Sequence, residues 1–96
     1  MAKLNEIIHQ PVRLQVVSAL AALERDAKVD FSYLKNLLKL TDGNLGTHLM
    51  KLEEAGYITQ EKTFVDRKPR TYVHLTPAGR AAFEEHVAAL KAILGQ

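Results

Sequence analysis

Apolar residues at Leu4, Ile7, Ile8, Val12, Val16, Val17, Leu20 and Leu23 recur at helical spacing along the first quarter of the chain. Pro11 interrupts the run, and proline suits a first helical turn better than an interior. The pattern predicts a short N-terminal segment and a main helix from about Pro11 to Leu23, or one kinked helix. "ERDAKVD" is a polar connection, with Val29 in a very short strand. Phe31, Leu34, Leu37 and Leu38 mark a second helix, capped by Asp30 or Ser32. After a tight link at Leu40 and Thr41, Thr41 caps a third helix that runs to about Ala55 and stops at Gly56.

From Tyr57 the pattern changes. Tyr57, Ile58, Thr59, Thr63, Phe64 and Val65 favour a strand, "DRKP" has turn chemistry, and "RTYVHL" is a second strand. Together they predict a β-hairpin with a basic tip. Thr76 then caps, and Pro77 opens, a last helix that reaches about Leu94. Two short helices joined by a tight turn and followed by a hairpin describe a winged helix-turn-helix. The expected fold is mainly α with a β-hairpin: three helices, a two-stranded wing and a C-terminal helix, in one domain over residues 1–96.

The third helix has two faces. Leu45, Leu49 and Leu52 define the core side. Asn44, Thr47, His48 and Lys51 share another side, with small donors and acceptors, an imidazole and a cation. Asparagine can pair bidentately with adenine, and threonine can meet a base edge through its methyl or hydroxyl. A recognition helix enters the major groove by its N-terminal half. Here that half holds Gly43 and Gly46, each costing roughly 1 kcal/mol of helix propensity relative to alanine. Two explanations stand: close approach of backbone to phosphate or base, with Gly43 as a backbone contact, or tight packing of helices at the turn.

Charge sharpens the picture. Thirteen basic against eleven acidic residues give a net charge of +2, so uniform basicity is no argument for a nucleic-acid partner. Between Glu61 and Arg70, however, Lys62, Arg67, Lys68 and Arg70 stand against Glu61 and Asp66, an excess equal to that of the whole chain. A basic tip can follow the backbone or insert arginine into a narrow minor groove. Lys35, early in the second helix, is a further candidate for a backbone contact.

At this level of detail, "LTDGNLGTHLMKLEEAGYI" followed by "FVDRKPRTYVHLTPAGR" resembles the winged-helix transcriptional regulators of the ArsR/MarR type, and is closest to their short, cysteine-free, single-domain members. The likeness extends from "HQPVRLQVVSAL" through Arg80. Asp66 and Gly46 depart from it, at positions where a small residue and a serine or alanine are common. The resemblance implies a sequence-specific duplex-DNA-binding regulator, usually a homodimer, with a recognition helix over about 42–55 and a wing over about 62–71. It also implies that a basic residue near Arg13 can reach phosphate. The alternative is a winged-helix protein-interaction module without DNA binding; RNA binding is weaker, because stacking aromatics are few.

The last helix carries Ala82, Phe83, His86, Val87, Leu90, Ile93 and Leu94, an apolar stripe too wide for one small core. The terminal helices, about 4–23 and 77–94, are therefore the expected dimer interface, with Leu4, Ile8, Phe83, Val87, Leu90, Ile93 and Leu94 as its candidates. The chain has no cysteine, and His9, His48, His74 and His86 are scattered without metal-ligand spacing. No metal, cofactor or catalytic motif is expected, and a small-molecule effector is left open. No run of about 18 apolar residues would span a bilayer, and a cytoplasmic location is expected.

Overall fold

A computed structural model describes residues 3–95. Its elements, in order, are α1 (Glu6–His9), α2 (Pro11–Ala21), β1 (Lys28–Asp30), α3 (Phe31–Leu38), α4 (Asp42–Glu54), β2 (Ile58–Val65), β3 (Lys68–Leu75) and α5 (Pro77–Ile93). This is a winged helix. Of the two readings left open by Pro11, the separate short segment is the one adopted. Gln10 is extended, and its side chain accepts from the Arg13 amide, so Pro11 opens a new helix rather than kinking an old one.

The caps are side-chain chemistry. Asp30 accepts from the Ser32 amide at 2.7 Å, Thr41 from Asn44 at 3.1 Å and Thr76 from Gly79 at 2.9 Å. Each satisfies an amide that the first helical turn leaves open. At the other end of α4, Gly56 takes φ +81°, a left-handed conformation that suits glycine.

The core lies between the helices and one face of the sheet. Val16, Val17 and Leu20 of α2 meet Leu34 of α3, Leu45, Leu49 and Leu52 of α4, and Ile58, Val73 and Leu75 of the strands. All ten are buried. Fully burying such side chains is worth about 1.5–3 kcal/mol each, which lets α4 form in spite of its two glycines.

The sheet has three strands in the order β1-β3-β2, one more than the expected two-stranded wing. The extra strand is the one that contains Val29, and it pairs antiparallel from Lys28↔His74 to Asp30↔Tyr72. β2 and β3 pair along their whole length, from Ile58↔Leu75 to Val65↔Lys68. The wing turn is therefore tighter than "DRKP": Lys68 and Pro69 already belong to β3. Only Asp66 and Arg67 turn, with φ of 52° and 67°, the two positive values a type I′ turn requires.

Gly79 closes the fold behind the wing. An added Cβ there would lie 2.1 Å from the Tyr57 carbonyl oxygen. Only glycine lets the first turn of α5 sit against the start of the hairpin, where the Thr76 amide also donates to Tyr57 O at 3.0 Å.

One expectation is corrected. Ile8 is fully buried within the chain itself, so its side chain cannot meet a second copy. α1 turns it inward between α2, α4 and α5, the helices against which α1 packs.

Candidate nucleic-acid interface

α4 presents its N-terminal half outward because Leu45, Leu49 and Leu52 bind it to the core. Asn44, Thr47 and Lys51 are exposed, while His48 is half-buried. The Thr47 hydroxyl donates to Gly43 O at 2.9 Å. Its proton is thereby committed to the backbone, leaving the methyl and an oxygen lone pair for another molecule.

The glycines can now be judged. A Cβ added at Gly43 or Gly46 would have nothing within 4 Å. Packing at the turn does not require them. They instead line a groove of about 760 Å³ between α4 and the hairpin, together with Thr47 and Met50 on one side and Gln60, Lys62 and Thr71 on the other.

Ion pairs divide the basic residues. Lys35 Nζ lies 2.9 Å from Asp42 Oδ1, and Arg70 Nη1 lies 3.0 Å from Asp30 Oδ2. Glu61 is occupied by Lys28 at 3.2 Å. Among the described residues, Lys51, Lys62, Arg67 and Lys68 have no such partner, and all four are exposed. These four lie on the hairpin and the outer face of α4; Lys3, Arg25, Lys39 and Lys91, elsewhere in the fold, are likewise exposed and outside the three ion pairs.

Arg13 stands elsewhere than the resemblance suggests. Its guanidinium turns inward: Nε donates to Ile7 O, and Nη1 lies 3.2 Å from His48 Nδ1. Burial and then the Arg13 charge lower the His48 pKa from its ordinary value, so the ring is neutral at pH 7.

Two histidines that look scattered in sequence meet in space. His86 is buried, and its Nδ1 accepts from the Asn5 amide at 3.1 Å. Its Nε2 lies 3.4 Å from His9 Nδ1. With Nδ1 accepting, a neutral His86 carries its proton on Nε2 and has no lone pair there for a metal. No group of three or more metal-ligating side chains occurs among the described residues.

The sequence reading passed over Met50, Gln60, Thr71 and Phe64. Met50 is 57% exposed and Phe64, on the wing, is 73% exposed. Gly43, Thr47, Met50 and Glu54 succeed one another at helical spacing on the side away from the three leucines, a pattern that points to Met50. The groove partners on the hairpin depend on how β2 folds back against α4, and no local pattern gives that.

A helix-turn-helix with an open recognition-type helix beside a basic hairpin defines the class: a winged-helix DNA-binding domain. The chain belongs to that family, whose winged helix DNA-binding domain matches residues 12–94. It is 38% identical over 82 residues to the uncharacterised protein MJ0432 of Methanocaldococcus jannaschii, covering 85% of this chain and 86% of that one. A transcriptional regulator homologue from Pyrococcus horikoshii has a similar structure, with a TM-score of 0.85 at 34% identity, over 95% of this chain and 87% of that one. YusO of Bacillus subtilis shares the fold at a TM-score of 0.78 and 22% identity, over 94% of this chain and 61% of that one. No helix among the described residues is long and apolar enough to cross a membrane.

Proposed function

We propose that this chain is a sequence-specific, duplex-DNA-binding transcriptional regulator of the ArsR/MarR-like type, cytoplasmic and acting as a homodimer. The observation that carries the reading is the open N-terminal half of α4 beside a wing tip whose cations have no ion-pair partner. Gly43 and Gly46 leave room for a sugar–phosphate strand or a base edge. Asn44, Thr47, His48 and Lys51 then reach into the major groove. Arg67 at the turn, with Lys68 beside it and Lys62 further down β2 on the groove, meets phosphates or a narrow minor groove. Lys35 and Arg70 already have carboxylate partners and play a lesser part. The name of the similar Pyrococcus horikoshii protein supports a role in transcription.

Dimerisation through the terminal helices is supported by the end of α5, where Ile93 and Leu94 are 58% and 67% exposed. Leu4, Val87 and Leu90 are half-buried, and contact with a second copy would cover them further. Phe83 packs partly against the chain's own core and contributes less. Such a dimer presents two recognition helices about 34 Å apart, one turn of duplex.

Selection of bound fragments from random duplex DNA tests this reading. Enrichment of a two-fold symmetric site is the expected result. Failure to retain any duplex at low salt would overturn it in favour of a protein-interaction module.

A further inference from the structure

α1 ends at His9 and Gln10 is extended, so the Ile7 carbonyl is left without a helical amide, and Pro11 has no N–H to offer it. Arg13 Nε supplies the missing donor. That bond and the half-buried position of Arg13 fix the plane of the guanidinium, and Nη1 is thereby aimed at His48 Nδ1, 3.2 Å away. An arginine can only donate. Nδ1 must therefore accept, and the neutral ring carries its proton on Nε2.

Nε2 itself has no partner among the described residues. No buried side-chain nitrogen or oxygen lacks a partner either, so Nε2 reaches the surface. The ionisable groups on the elements packed against α4 are Glu6 and His9 of α1, Arg13 and no other on α2, Lys35 of α3, which is held by Asp42, and Glu61 and Lys62 of β2. Lys51 lies one turn further along α4 itself. Of these, Arg13 alone is hydrogen-bonded to the ring and lowers its pKa.

We propose that Arg13 is a positioning residue for base recognition: it contacts no DNA, and holds His48 as a neutral Nε2–H donor for an acceptor on a base edge. The acceptors available in the major groove are purine N7, guanine O6 and thymine O4. A neutral donor favours these over phosphate, which attracts any cation regardless of sequence. The proposal rests on the DNA-binding reading above. It adds that specificity at one base pair depends on a residue in α2, through a carbonyl left open at the end of α1.

Long-range proton–nitrogen NMR of ¹⁵N-labelled protein, with and without Arg13→Met, tests the lock directly. The wild-type His48 ring is expected in the Nε2–H form, and the variant in a mixture of both tautomers. In binding assays on the selected duplex, Arg13→Met should lose about three- to tenfold of the preference at one base pair, the worth of one hydrogen bond. Its salt slope should be unchanged, and in a His48→Ala background the substitution should have no further effect on preference. A salt slope lower by about one with preference intact would show a phosphate contact and overturn the proposal. A mixed tautomer in the wild type would do the same. If Arg13→Met does not fold, Arg13→Lys carries the test, because an ammonium lacks the planar fork that serves Ile7 O and the ring together and should release the tautomer. Absence of duplex binding by the wild type would sink the base-donor role together with the proposed function, while the tautomer measurement stands by itself.

Discussion

The Asn5 backbone N–H donates to Nδ1 of the buried His86, 81 residues further along the chain, at 3.1 Å. The Asn5 side-chain amide donates to the Tyr57 hydroxyl at 2.8 Å, and its oxygen accepts from Ile7 and Ile8. One residue thus joins the N-terminal segment to α5 and to the start of the hairpin. Protonating His86 removes the acceptor that this joint uses.

Stability should therefore fall in mild acid. Burial and then His9 lower the His86 pKa in the folded chain, and burial lowers that of His48. Unfolded, both rings take up a proton near the ordinary value of about 6.5. The stabilisation is full above that value and is lost as pH falls from there through the lowered folded values. Each proton contributes a slope of at most about 1.4 kcal/mol per pH unit. Thermal melts between pH 7.5 and 5 should show the loss, and His86→Gln should flatten it. An unchanged profile in the variant would remove His86 from the explanation.

Gly46→Ala should separate folding from binding. The added methyl meets open space, and alanine is the better helix former by about 1 kcal/mol. The variant should melt higher by about 4–8 °C and bind its duplex site more weakly. Tighter or equal binding would mean that the glycine does not serve close approach.

The wing and the recognition helix should fail in different ways. Arg67→Ala or Lys68→Ala should weaken binding to all duplexes and lower the salt slope by about one for each phosphate no longer neutralised. Asn44→Ala should instead cost about 1–3 kcal/mol at one base pair and leave the salt slope in place. Titrations on specific and scrambled duplexes at several salt concentrations distinguish the two.

Replacing Ile93 and Leu94 together by aspartate should shift a micromolar sample from dimer toward monomer in light scattering. The melting temperature at high dilution should change little, because both side chains are largely exposed in the protomer. A wild-type monomer under the same conditions would exclude the terminal helices as the interface.

The elements were legible where local chemistry decides them. Asp30, Thr41 and Thr76 cap the helices they precede, and the leucines of α4 face inward as their spacing requires. What escaped was set by contacts between distant segments. Arg13 meets His48 from 35 positions away and His9 meets His86 from 77. The Asp30–Arg70 pair exists because β1 joins the sheet beside β3. Ile8 looked free for a partner because periodicity tells which residues are apolar, not whether the chain's own helices will cover them. The two readings of Gly46 could be separated only by the empty space around it.

The sheet's unequal strands give the wing a mechanical gradient. β1 supports β3 only as far as Asp30↔Tyr72, and beyond it the pairs from Lys62↔Thr71 to Val65↔Lys68 form a free two-stranded ribbon. Such a ribbon behaves as a cantilever, so a small rotation at its root moves the tip most. Arg70 is clamped at the root by Asp30, while Arg67 and Lys68 sweep the widest arc. The wing's charges are thus graded from fixed to compliant along one hairpin. On the proposed mode of binding, such a wing follows minor grooves of different width while the core stays fixed.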